Sequence, residues 1–128
     1  MSDKKTDAME SAALDNMGSD GVLLDTTITA SYIHKFRTPI QYEGQEFKEL
    51  HFDFETLTGG DSREVMRELA AKGIFVAAKT ASEDYLQAMC MRACVDTMPD
   101  GRTPGTDIFN YMRVGDSNRI QNVLRRFL

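Results

Sequence analysis

The chain has 128 residues, 41% of them hydrophobic and 27% charged, with a formal net charge of -5. That is ordinary for one soluble domain with one core. The acidic balance disfavours a general nucleic-acid binder, which needs a basic surface to neutralise phosphates. No apolar run approaches the roughly 20 residues of a membrane span, and the N-terminal stretch lacks the apolar segment of a secretory signal.

Residues 1–26 are small, polar and acidic, with Asp3, Asp7, Glu10, Asp15 and Asp20 set against Lys4 and Lys5. Such a stretch buries too little to offset its ordering entropy and reads as a mobile tail, with at most a brief helix over Ala8–Leu14. From Thr27 the period changes. Ala30, Tyr32, His34, Phe36 and Ile40 alternate with polar Ser31, Lys35 and Arg37, as in a half-buried strand. After Tyr42-Glu43-Gly44 the apolar series resumes with Phe47, Leu50, Phe52 and Phe54.

A three-residue loop with Gly44 in its left-handed position pairs Gln41 with Gln45, Ile40 with Glu46, Phe36 with Leu50, His34 with Phe52 and Tyr32 with Phe54. This register gathers the apolar side chains on one face and leaves Lys35, Arg37, His51 and Asp53 on the other, whereas a two-residue turn mixes the faces. Pro39 marks an edge or a bulge.

Downstream the pattern turns helical. Asp61 as N-cap with Glu64 three residues later reads as a capping box. Val65, Met66, Leu69 and Ala70 follow as the helix's apolar face, and Gly73 suits its C-terminal stop. Ile74–Ala78 is a short apolar run compatible with strand or helix. Thr80 and Glu83 repeat the capping box and open the longest predicted helix, through about Val95. Its stripe is Tyr85, Leu86, Met89, Cys90, Ala93 and Cys94. Met98–Gly105 is a loop, Ile108–Met112 a short helix capped by Thr106 or Asp107, and Asp116 the expected N-cap of a final helix. There Ile120, Val123, Leu124, Phe127 and Leu128 recur at helical spacing, with Arg125 and Arg126 in the last turn, where cations favour the dipole. The fold class is α+β: a hairpin followed by three to four α-helices in one domain over 27–128.

Chemistry-bearing patterns are weak. Cys90 and Cys94, four apart on a helix, do not suit a disulfide and point to a reducing, cytoplasmic setting. A zinc site needs both thiols and both histidines to converge at about 2.0–2.3 Å from one ion, yet the hairpin register sends His34 and His51 to opposite faces. His51, Asp53 and Glu55 lie on one side of a strand, the spacing of a His-carboxylate metal site, but the second histidine faces away. Gly59-Gly60 is followed by an Asp cap and no lysine, unlike a phosphate loop. Arg113, Arg119, Arg125 and Arg126 read as a solvated helix face. No Ser or Cys sits in a nucleophile motif.

Interaction is what remains. The closing stripe packs into the core or presents a helix to a groove. The eight methionines offer adaptable surface or ordinary core.

Three stretches together resemble the tail assembly chaperone family of long-tailed phages. They are the Pro-bearing strand, Gly turn and second strand over His34–Leu50, the Thr-Gly-Gly-Asp turn into a helix over Thr58–Gly73, and the ending Asp107-Ile-Phe-Asn-Tyr-Met followed by Arg119–Leu128. The likeness covers Tyr32–Leu128.

The resemblance implies a non-catalytic assembly factor without cofactor or metal, acting in the host cytoplasm and absent from the mature virion. Its implied partner is the tape measure protein, kept soluble until tail-tube protein replaces it. A longer frameshifted form of the chain is a further implied partner, and a homo-oligomer is compatible with either. The expected partner-binding residues are Ile120, Val123, Leu124 and Phe127, with Phe36 and Ile40 on the hairpin face. Rival readings are a minor tail or connector protein that stays in the particle, and a small metal-dependent enzyme using His51, Asp53 and Glu55.

Overall fold

The computed structural model describes residues 30–128; the acidic stretch 1–26, with the brief helix over Ala8–Leu14, lies outside the described residues. The chain opens with an antiparallel hairpin of β1 (Tyr32–Tyr42) and β2 (Gln45–Phe52). Three α-helices follow, α1 (Gly59–Ala71), α2 (Glu83–Ala93) and α3 (Val114–Arg125), with short 3-10 turns at Phe54–Thr56, Lys79–Ala81 and Thr106–Tyr111. The α+β class is as the sequence predicts.

The hairpin register is not. The turn has two residues, Glu43 (φ 50°) and Gly44 (φ 79°), flanked by the pair Tyr42 and Gln45. Positive φ at both turn positions matches the right-handed twist of the strands, which is why two-residue turns of this kind dominate hairpins. The mixing of faces that argues against such a turn is removed further along. Ile40 pairs with Phe47 and Lys35 with Glu49, so Phe36–Pro39 stand opposite Lys48 alone. This bulge falls at Pro39, which has no N–H to give to a ladder. Beyond it His34 pairs with Leu50 and Tyr32 with Phe52, and His34, Phe36, Ile40 and Tyr42 all reach the core.

Helix starts shift in a consistent way. Thr58, not Asp61, caps α1: its hydroxyl accepts from the Asp61 N–H and the Asp61 carboxylate accepts from the Thr58 N–H. In α2 the cap is Ser82, accepting from the Tyr85 N–H at 3.1 Å, rather than Thr80. The longest helix is α1. Gly73, at φ 77°, ends the turn after it, and 74–78 is neither strand nor helix. Ala70 is exposed, leaving Val65 and Leu69 as the buried face with Met66 partly covered.

α2 is the central helix, packed on α1, α3 and β2. Its predicted stripe, Tyr85, Leu86, Met89, Cys90, Ala93 and Cys94, is wholly buried. After α2 the chain runs along the free edge of β2. The Asp53 N–H donates to the Ala93 carbonyl at 2.8 Å, the Val95 N–H to the His51 carbonyl at 2.9 Å, and Phe52 bridges Cys94. Phe52 and Phe54 stack with Tyr32 at the bottom of this layer. No helix among the described residues is long and apolar enough to cross a membrane.

Candidate partner-binding site

The predicted binding stripe divides between core and surface. Ile120 and Leu124 are completely buried between α3 and the rest of the core, and Phe36 and Ile40 are buried beneath the hairpin. Burying side chains of this size stabilises the fold by about 1.5–3 kcal/mol each, so none is free to meet a partner without unfolding. Val123 is partly covered. Phe127, 40% exposed, leans on the Phe54 ring at 5.5 Å, and Leu128 is half-exposed beside it in sequence. Among the methionines, Met89, Met91, Met98 and Met112 are buried and Met66 partly so: they are core.

Asp116 is not the N-cap of α3. The helix begins at Val114 after Arg113, with no side-chain cap, and Asp116 lies in its first turn. Its carboxylate is held instead by His34 Nε2 at 2.8 Å, while the Tyr32 hydroxyl meets His34 Nδ1 at 2.7 Å. A carboxylate only accepts, so Nε2 carries a hydrogen; in the neutral ring Nδ1 then accepts from the Tyr32 hydroxyl. Burial, outweighing the pull of Asp116, lowers the His34 pKa in the same sense. Burial also pushes the Tyr32 hydroxyl up to about 12.

His51 has the opposite character. The sequence reading places it on the polar strand face; in fact it is buried under the chain that follows α2. Its Nδ1 meets Asp96 at 2.9 Å and its Nε2 meets Glu49 at 2.8 Å. Two carboxylates, one on each ring nitrogen, require two N–H donors, which is the imidazolium. Burial pulls its pKa down, but Asp96 and Glu49 together outweigh it and the net shift is upward. Asp96 also accepts from the His51 backbone N–H at 2.6 Å.

His34, His51, Cys90 and Cys94 are the side chains the zinc pattern names. Both nitrogens of each histidine are engaged with protein groups, and Cys90 and Cys94 are buried thiols. Burial raises the Cys90 pKa strongly and pushes Cys94 up to about 12, so neither yields a thiolate near neutrality. Among the described residues, no three His, Cys, Asp or Glu side chains are arranged to hold one ion.

A surface the sequence reading missed lies between α1, α2 and the loop before Thr106. This groove, of about 520 Å³, has Leu69, Ile74, Ala88, Met91 and Pro104 along it. Arg92 stands at its edge within an acidic cluster, 2.7 Å from Glu64, 3.0 Å from Glu68 and 3.3 Å from Asp61. Phe75, the residue after Ile74, is 87% exposed. The apolar run Ile74–Ala78 is the sequence signal that could have found it, since a short apolar run need not belong to any strand or helix. The chain matches no protein-family model, no curated protein and no solved structure.

Proposed function

We propose that the chain is a non-catalytic tail assembly chaperone that binds the tape measure protein and keeps it soluble until tail-tube protein takes its place. The reading comes from the resemblance over Tyr32–Leu128, and Phe75 supports it. A Phe side chain left in water next to Ile74, which lines a groove of mixed polar and apolar residues, is the arrangement expected of a surface that meets a partner. The rim sets Asp61, Glu68 and Asp84 against Lys72 and Arg92, an acidic excess that suits a helical segment whose apolar stripe is flanked by basic residues. A chaperone that must later release its client is served by a shallow groove, where many weak contacts can be stripped by a competitor.

The test is co-expression with the tape measure protein of the same genome, followed by size-exclusion chromatography. A soluble tape measure protein co-eluting with this chain supports the reading. An insoluble tape measure protein and a chain eluting alone overturn it, and recovery of the chain from purified particles would instead make it a structural tail component. Phe75→Asp, exposed and outside every helix, separates binding from folding: it should abolish co-elution while the circular dichroism spectrum stays unchanged.

A further inference from the structure

A basic cleft of about 500 Å³ opens between β1 and the start of α3, lined by Lys35, Arg37, Arg113, Gly115, Asp116 and Arg119. Among the described residues no ion pair joins Arg37, Arg113 or Arg119 to a carboxylate. Asp116, the one acid in the cleft, accepts from neutral His34 and so keeps its charge, one carboxylate against Lys35 and three arginines. Four cations set against one carboxylate leave the cleft positive on the surface of an acidic protein, and a further anion is attracted there. Arg126 and Arg119 also act electrostatically on Tyr32, so the positive field extends to the start of β1.

Residues 1–29 hold Asp3, Asp7, Glu10, Asp15, Asp20 and Asp25 against Lys4 and Lys5, which places -4 of the chain's -5 in this stretch. The stretch joins the fold at Ala30, two residues before β1. At about 3.3–3.6 Å per extended residue, the ten residues from Ala30 back to Asp20 reach some 33 Å, well beyond the length of β1 that separates Ala30 from Lys35. A tethered segment of this length acts at an effective concentration of the order of millimolar. A free anion must compete with that. We infer that the acidic N-terminal segment of the same chain, with Asp15, Asp20 and Asp25 foremost, docks on the cleft of Arg37, Arg113 and Arg119. This inference does not depend on the assembly reading.

The experiment is paramagnetic relaxation on the full chain. Ser19→Cys carries a spin label, since Cys90 and Cys94 are buried and do not compete for it. Backbone amide signals of Arg37, Gly115, Asp116 and Arg119 are followed at salt concentrations of about 0.01 M and about 1 M, where the screening length falls from roughly 30 to 3 Å. The expected result is a loss of at least half the intensity of these four signals at low salt. Full recovery is expected at high salt and in the triple variant Arg37→Glu, Arg113→Glu, Arg119→Glu. All three arginines are exposed, so the variant keeps its fold. Broadening that is absent, that spreads evenly over the surface, or that survives the triple reversal overturns the inference. So does broadening seen only when labelled unlike-isotope chains are mixed with unlabelled ones, because the segment then comes from a second copy.

Discussion

His34 on β1 and Asp116 in the first turn of α3 stand 82 residues apart in sequence and 2.8 Å apart in space. This hydrogen bond ties the first strand to the last helix, and burial keeps the imidazole neutral against the pull of Asp116. His51 is fixed as the cation by Asp96 and Glu49. One small core therefore holds two histidines in opposite charge states.

Stability should consequently peak near pH 6.5, the ordinary histidine pKa, and fall on either side. The His51 pKa is raised by folding, so its contribution is complete below the unfolded value and is lost as pH rises through the folded one. The His34 pKa is lowered by folding, so its contribution is complete above the unfolded value and is lost as pH falls through the folded one. Urea denaturation between pH 5 and pH 8 should show both limbs. His51→Gln should flatten the alkaline limb and His34→Gln the limb below neutrality. A profile unchanged by either substitution would contradict the assignment.

Leu124 and Phe75 should behave as opposites. Leu124→Ala deletes a fully buried side chain and should cost about 2–5 kcal/mol in denaturant midpoint analysis. Phe75→Asp, in the solvent, should shift stability by no more than about 0.5 kcal/mol.

The turn offers a gain. Glu43 occupies a positive-φ position, where an L side chain is strained by roughly 1–2 kcal/mol and Asn is tolerated better. Its ion pair with Arg102, at 3.3 Å between two exposed side chains, contributes little in compensation. Glu43→Asn should therefore stabilise the chain by about 1 kcal/mol, measured as a rise in thermal midpoint. Gly44→Ala, at φ 79°, should lower it by a similar amount.

The capping box of α1 can be tested without touching the core. Thr58→Ala removes the oxygen that accepts from the Asp61 N–H and should cost about 1 kcal/mol. Glu64→Ala should cost far less, because the reciprocal acid is Asp61 and not Glu64.

The outline of this fold is legible in the sequence, and its displacements share a physical cause. Alternation found the strands and helical spacing found the core face of α2, because both depend on side-chain burial alone. Strict alternation implies a three-residue loop because it does not reveal that the four residues Phe36–Pro39 are taken up opposite Lys48. Asp116 resembled a cap, and His51 a surface residue, until distant partners claimed them: His34 for the first, Asp96 and Glu49 for the second. Long-range hydrogen bonds have no local pattern. The closing stripe was recognised as apolar, but periodicity does not say that Ile120 and Leu124 face inward while Phe127 reaches the surface. The groove beside Phe75 was hidden because it is built from three segments far apart in the chain.

A two-stranded hairpin has two flanks on which foreign strands can add. One is closed, since the chain leaving α2 lays Ala93–Val95 along β2. The other belongs to β1, where among the described residues no strand pairs. There the bulge interrupts the ladder between Lys35 and Ile40, and Pro39 has no N–H to offer. What survives on either side is too short to template a neighbour, and exposed Lys35 and Arg37 repel an identical strand. The same irregularity that repairs the pairing of the faces thus makes the open flank of β1 a poor template for edge-to-edge addition of another copy.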